Sequence, residues 1–250
     1  MIENELGPLL AQLDRTTRVA VLTGSGISAE SGIPTFRGEH GLWRQFRAEE
    51  LATPQAFERD PKLVWEWYDW RRGIIGRAEP NEGHRTISAW QEIFPSVSLI
   101  TQNIDGLHER AGSRQPVELH GNIWKMRCLQ EGTVTECRDV PLPILPPRCA
   151  ACGAMLRPHI IWFGEALDRC VLEDAFRRST ACDVIFVVGT SALVHPAASL
   201  PLAAADSGAK IVEVNPDPTP LSRAADFVLR GKAGQILPLI QRKIIEKLRS

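Results

Sequence analysis

The chain has 250 residues, 44% hydrophobic and 24% charged, which suits a soluble globular protein with one sizeable core and a satellite. Its formal net charge is −1 and its basic residues form no block, which excludes nucleic acid or a membrane surface as a partner recognised by charge. The opening Met1-Ile2-Glu3-Asn4-Glu5 lacks an apolar signal core, and no apolar run approaches the ~20 residues that span a bilayer, so a cytoplasmic protein is expected.

In chain order, Arg18 to Thr23 is the first short β-branched run, read as a buried parallel strand because it is continuously apolar. Gly24-Ser25-Gly26-Ile27-Ser28-Ala29 follows it and opens a helix, meeting the G-x-G-x-x-G/A pattern in its strand–turn–helix context. Its glycines let the backbone approach a pyrophosphate, which the free amides of a helix N-terminus bind. A dehydrogenase would place a ribose-binding acid at a strand end ~20 residues later. Here that place holds Glu49-Glu50 in a helical stretch, which disfavours hydride transfer. The loop instead continues from Ser31 to Gly38 with the glycines and proline of a lid.

Gly38 to Pro80 is Trp-rich and helical, a first insertion into the strand–helix rhythm. Within it Tyr68, the only tyrosine, and Arg71 stand three residues apart on one helix face. A phenol beside a guanidinium can bind a carboxylate, although a core Tyr beside a surface Arg is the commoner meaning of such a pair. Helical His84 to Phe94 leads to a strand, Val97 to Thr101, which ends in Gln102-Asn103-Ile104-Asp105-Gly106; Val117 to Leu119 ends in His120-Gly121.

Trp124 to Arg157 is a second insertion, rich in proline and holding Cys128, Cys137, Cys149 and Cys152. In a reducing compartment such clustering points to a metal rather than disulfides. Cys149-Ala150-Ala151-Cys152-Gly153 suits a tetrahedral zinc knuckle, with a redox pair as the alternative. Cys170 and Cys182 are expected in the core.

The remaining elements are a helix at Asp168 to Arg178, strands at Val184 to Val188, Lys210 to Val214 and Asp226 to Leu229, and a helix from Gly234 to Leu248. Gly189-Thr190-Ser191 and Asn215-Pro216 end two of the strands. The alternation defines an α/β protein with a doubly wound, Rossmann-like parallel sheet, whose small and polar strand ends form one ligand edge. Residues 1–37, 81–123 and 158–250 are expected to build this domain, and 38–80 with 124–157 a smaller helical and zinc-binding one. A lone His at a strand end is ordinarily structural. His120 lies on the ligand edge, whereas His40, His84, His108, His159 and His195 have no independent chemical case.

Three stretches are similar to signatures of the sirtuin family: Gly24 to Arg37, Thr101-Gln102-Asn103-Ile104-Asp105-Gly106-Leu107-His108, and Glu118-Leu119-His120-Gly121. The resemblance implies a protein-lysine deacylase that consumes NAD as co-substrate: the acyl-lysine carbonyl oxygen attacks C1′ of the nicotinamide ribose and expels nicotinamide. It implies His120 as general base, a role suited to a group titrating near neutrality. Asn103 and Asp105 would hold the nicotinamide carboxamide and Gln102 the ribose. The same resemblance implies NAD contacts at Gly24, Ser25, Gly26, Ile27, Ala29, Phe36, Arg37, Ile104, Gly189, Thr190, Ser191, Asn215, Pro216 and Ala233.

Tyr68-x-x-Arg71 resembles the mark of the class that removes succinyl and malonyl groups, so acidic short acyl groups are expected, with acetyl also accepted. Ile161, Phe163, Gly164, Glu165 and Val194 match the segments that bracket the substrate peptide as an added strand, a mode that tolerates many sequences. The partners implied are acylated lysines of other proteins, and a monomer is expected. The family supplies an upstream C-x-x-C, but Cys128 is followed by Leu129, Gln130 and Glu131. Cys137 is therefore the candidate fourth ligand of a structural zinc ion with Cys128, Cys149 and Cys152; the alternative is a module without metal. Rival functions are an ADP-ribosyltransferase or NAD glycohydrolase with the same NAD site, and a non-enzymatic NAD-binding scaffold.

Overall fold

The computed structural model describes residues 2–35 and 51–249. Its larger sheet is built from β1 (Arg18–Thr23), β2 (Ser96–Thr101), β3 (Val117–Glu118), β7 (Val184–Val188), β8 (Lys210–Val214) and β9 (Phe227–Leu229). The strands are all parallel, in the order β3-β2-β1-β7-β8-β9. Each strand lies within a residue of its expected position, because a strand covered on both faces reads as a largely apolar, β-branched run; Glu213 in β8 is a buried exception. β7 is the extreme case, buried at all five positions.

Chain order reverses beside β1: β2 and β3 lie to one side, β7 to β9 to the other. In such sheets the crevice outside the strands' carboxyl ends at that reversal is where ligands bind. On one face, α1 (Ile2–Ala11), α5 (Glu82–Ile93) and α9 (Ala233–Arg249) cover a core containing Trp90, Phe186, Leu237 and Ile240. On the other, α7 (Arg169–Thr180) and α8 (Leu200–Asp206) pack over Leu22, Ile185, Val187 and Ile211. The short helices α2 (Ser25–Ala29) and α6 (Leu107–Arg110) follow β1 and β2.

A separate core holds the helices α3 (Pro54–Arg59) and α4 (Pro61–Arg77) against a three-stranded antiparallel sheet, β5-β4-β6. The sheet consists of β4 (Gly121–Cys128), β5 (Val134–Glu136) and β6 (Leu156–Ile160). Both helices start as their sequences dictate: Thr53 and Asp60 side chains accept from Ala56 N and Leu63 N, and Pro54 and Pro61 stand where no intrahelical donor is needed. The buried face of α4 runs Val64, Trp65, Trp67, Tyr68, Arg71, Arg72 and Ile75, the 3.6-residue stripe of a packed helix.

Arg72 is fully buried and joins the two parts of this core. Its guanidinium donates to the carbonyls of Ile123 (2.8 Å), Cys137 (2.7 Å) and Asp139 (3.0 Å), so the buried charge is spent on backbone acceptors. Gly121 fixes the entry to β4. Its φ is +78°, and a Cβ there would lie 2.2 Å from the His159 carbonyl oxygen, so no other residue fits that crossing of β4 and β6. Among the described residues, no helix is long and apolar enough to cross a membrane.

Candidate active site

The carboxyl ends of β1, β2, β3 and β7 open onto one cleft of about 280 Å³. Gly24 and Ser25 line it after β1, Gln102, Asn103 and Ile104 after β2, His120 after β3, and Thr190 and Ser191 after β7. The glycine turn has a second purpose beside leaving room for a ligand. A Cβ on Gly24 or Gly26 would come within 2.8 Å or 2.7 Å of Thr190 or Gly189, and Gly26 N donates to the Gly189 carbonyl at 2.8 Å. The turn is thus locked onto the end of β7, and part of its amide set is committed to the sheet.

His120 is half-buried at the cleft wall. Its Nδ1 lies 2.9 Å from the Gln102 carbonyl oxygen, which can only accept, so the proton sits on Nδ1 and the lone pair on Nε2. Burial holds its pKa below the ordinary 6.5, against a smaller opposing pull from that carbonyl. The ring is therefore a neutral base at pH 7. Gln102 Nε2 reaches Thr190 Oγ1 (3.0 Å), tying the ends of β2 and β7 across β1.

Behind the wall lies a buried polar chain. Asn103 Nδ2 donates to Gly24 O and to Ser28 Oγ, both at 3.1 Å, which leaves Oδ1 as the acceptor it offers to the cleft. Ser28 Oγ donates to Asp105 Oδ2 (2.7 Å), and Asp105 Oδ1 accepts from Leu107 N (2.9 Å). Burial raises the Asp105 pKa, and those two hydrogen bonds oppose it. Asp105 thus orients Asn103 through Ser28 and does not itself line the cleft.

His84 and His108 belong to this chain, although neither had a chemical case of its own in the sequence, His108 only closing the second signature-like stretch. Asn81 N donates to His84 Nδ1 (3.3 Å), so Nε2 carries the proton toward Ser28 Oγ at 3.4 Å. His108 Nε2 stands 3.0 Å from Thr23 Oγ1, and the two rings meet edge to face at 4.8 Å. Burial pushes His84 down to about 4 and His108 well below 6.5. The signal that could have found them is indirect: His84 is the third helical residue after Asn81, the reciprocal position of a capping box.

The second core supplies further lining, together with the segment that follows β7. Tyr68 and Arg71 line the cleft with Ile161, Phe163, Gly164, Glu165 and Val194, and His195 joins them. Trp162 Nε1 donates to Tyr68 Oη (2.9 Å), so the phenol keeps its own hydrogen as a donor, and burial raises its pKa to about 12. The Arg71 guanidinium lies over the rings of Trp67 and Tyr68, 4.9 Å and 5.7 Å from their centroids. Glu165 is fixed by a fork from Arg157 (2.6 and 2.9 Å) and by Trp162 N (2.8 Å).

Other expected residues stand elsewhere. Ile27 and Ala233 are buried in the sheet's core, Ala29 and Pro216 are exposed, and Asn215 Nδ2 contacts the Thr190 carbonyl at 3.3 Å. Phe36, Arg37, His40 and Glu49-Glu50 lie outside the described residues. Cys182 is buried, but Cys170 is exposed rather than in the core, on the solvent side of α7. The four-thiol metal set is also corrected: Cys128, Cys149 and Cys152 converge with Glu131, while Cys137 stands apart. Cys137 N pairs with Trp124 O at the far end of the β4–β5 hairpin from Cys128, about 13 Å away for four extended residues.

A doubly wound sheet with a mostly apolar cleft at its strand reversal, a few convergent polar groups and a neutral histidine poised as a base defines a nucleotide-binding α/β protein with catalytic apparatus. Residues 24–196 match the Sir2 family. The chain is 53% identical over 229 residues to an NAD-dependent protein deacylase of Aquifex aeolicus, covering 92% of this chain and 96% of that one. It superposes on a Sir2 homologue in complex with NAD with a TM-score of 0.90, at 46% identity and covering 97% and 94% of the two chains. A mutant Sir2 homologue in complex with 2′-O-acetyl-ADP-ribose gives 0.90 at 45% identity, covering 100% and 99%. The chain belongs to the Sir2 family.

Proposed function

We propose that the protein is an NAD-dependent protein-lysine deacylase that passes the acyl group to ADP-ribose with release of nicotinamide, and that it accepts succinyl and malonyl as well as acetyl groups. The observation that carries this reading is that two sets of groups line one cleft: His120 and Asn103 from the strand ends of the parallel sheet, Tyr68 and Arg71 from α4 of the second core. The deacylase name of the Aquifex aeolicus relative and the acetyl-ADP-ribose held by the structural neighbour support it.

NAD supplies the electrophilic ribose carbon and the leaving nicotinamide. The residues present fit it, since the cleft offers an oriented carboxamide acceptor at Asn103 and hydroxyls at Ser25, Thr190 and Ser191 beside the switch point. Asn103 Oδ1 would take a hydrogen bond from the nicotinamide amide, held in place through Ser28 by Asp105 and His84. His120 Nε2 would accept a proton from a ribose hydroxyl, the Gln102 carbonyl stabilising the imidazolium through Nδ1. The Trp162–Glu165 segment and Val194 would flank the peptide and keep water from the reacting carbon.

Arg71 and the Tyr68 hydroxyl would receive the acyl carboxylate, a charge-assisted contact that an acetyl group cannot make. This reading predicts that Arg71→Met lowers kcat/KM for succinyl-lysine peptides by roughly 10–100-fold and changes acetyl-lysine turnover far less. An equal loss for both would remove Arg71 as the carboxylate receptor. Nicotinamide release without an acylated peptide would instead favour an NAD glycohydrolase. We further propose a smaller domain formed from residues 38–80 and 124–157, a cytoplasmic location and action as a monomer on acylated lysines of other proteins.

A further inference from the structure

The three converging thiols are held by two turns that share one geometry. In Cys149-Ala150-Ala151-Cys152-Gly153, Gly153 N donates to Cys149 O (2.9 Å), Cys149 N donates to Ala154 O (2.7 Å), and Gly153 has φ +73°. In Cys128-Leu129-Gln130-Glu131-Gly132, Gly132 N donates to Cys128 O (3.0 Å), Cys128 N donates to Thr133 O (2.9 Å), and Gly132 has φ +70°. Glu131 therefore occupies in the first turn the place that Cys152 occupies in the second.

One donor atom from each of Cys128, Glu131, Cys149 and Cys152 lies within 4.8 Å of the others. Around a tetrahedral zinc ion, with sulfur at about 2.3 Å and carboxylate oxygen at about 2.1 Å, ligand atoms stand about 3.6–3.8 Å apart. The Cys128 and Cys152 sulfurs are at 3.5 Å already. Glu131 N also donates to Cys128 Sγ (3.4 Å), a backbone contact of the kind that stabilises a ligating thiolate. Cys137 cannot supply the fourth ligand without unzipping β5 from β4, and its sulfur and carbonyl already face Arg72 at 3.7 Å and 2.7 Å.

We propose that Glu131 is the fourth ligand of a structural zinc site made of three thiolates and one carboxylate. The site is closed, so the ion staples the β4–β5 loop to the Cys149–Cys152 turn and takes no part in the reaction. Three thiolates and a carboxylate carry the same total charge as four thiolates. Replacing a sulfur by a harder oxygen softens the site's preference for thiophilic metals without changing its electrostatics.

The test uses the full chain purified with zinc, and the same chain loaded with Co²⁺, whose thiolate-to-metal charge-transfer band grows with the number of bound sulfurs. Wild type and Cys137→Ser should each hold one zinc per chain and give identical Co²⁺ bands. Glu131→Cys should raise the band by about one third, from three sulfurs to four. Glu131→Ala should weaken zinc retention against a competing chelator by more than the roughly 10–100-fold lost with an outer-shell partner. The proposal is overturned if Cys137→Ser diminishes the band or releases zinc, if Glu131→Cys leaves the band unchanged, or if the wild-type chain binds neither metal.

Discussion

At His120 the Gln102 carbonyl occupies Nδ1, so a proton taken from substrate goes to Nε2 and the ring must start neutral. Because burial depresses its pKa below 6.5, the acid limb of kcat/KM should lie below pH 6.5, with activity falling as pH drops through it. A limb centred above 6.5, or one that survives in His120→Ala, would assign the titration to another group. His84 behaves differently, since its protonation threatens the fold. The unfolded chain binds its proton near pH 6.5 and the folded chain only near 4, so stability is intact above 6.5 and is lost as pH falls toward 4, by about 3 kcal/mol. Denaturant unfolding at a series of pH values should show that slope, and His84→Asn should flatten it. Residues of this kind are the least legible in a sequence. Asn103 and His120 were marked by their place on the ligand edge, but the wire from His84 through Ser28 to Asp105 joins residues up to 77 positions apart and exists only once β1 and β2 pair.

Element by element, most parallel strands were readable because they are short, largely apolar β-branched runs, and α4 because its apolar stripe repeats every three to four residues. The antiparallel sheet was not. β4 alternates burial only in part, β5 is exposed throughout, and prolines crowd the stretch between β5 and β6, so no period-2 signal stands out. For the same reason Glu131 read as a lost thiol, since a carboxylate three residues after Cys128 signals a ligand only when the two turns are compared in space. Two substitutions test how these elements are joined. Gly121→Ala, placed 2.2 Å from a carbonyl oxygen at positive φ, should cost more than about 3 kcal/mol in chemical denaturation. Arg72→Met would strand the buried Ile123 carbonyl and leave the part-buried Cys137 and Asp139 carbonyls without their donor, and should destabilise the second core by about 1–3 kcal/mol. If Arg72→Met were neutral, the helical and zinc-binding parts would be held by apolar packing alone.

Over the whole molecule, the apolar residues separate into cores on the two faces of the parallel sheet and another beneath α4 and β4. The metal-ligand group lies at the last of these, far in the chain from α1 and α9, which close the sheet's own core. Stripping the metal should therefore lower the melting temperature of one part and spare the other, so that a single calorimetric transition splits in two. A melt that moves as one peak after chelation would mean that the two regions unfold as a unit.

The solitary tyrosine of this chain stands at the wall of the cleft, bonded to Trp162 and stacked edge-on with Trp67 at 4.7 Å. Tyrosine labelled with 13C at the phenol carbon alone would consequently give a single resonance, free of assignment ambiguity, from the proposed acyl pocket itself. Titrating acylated peptides against that resonance would rank acyl groups by binding in the absence of turnover.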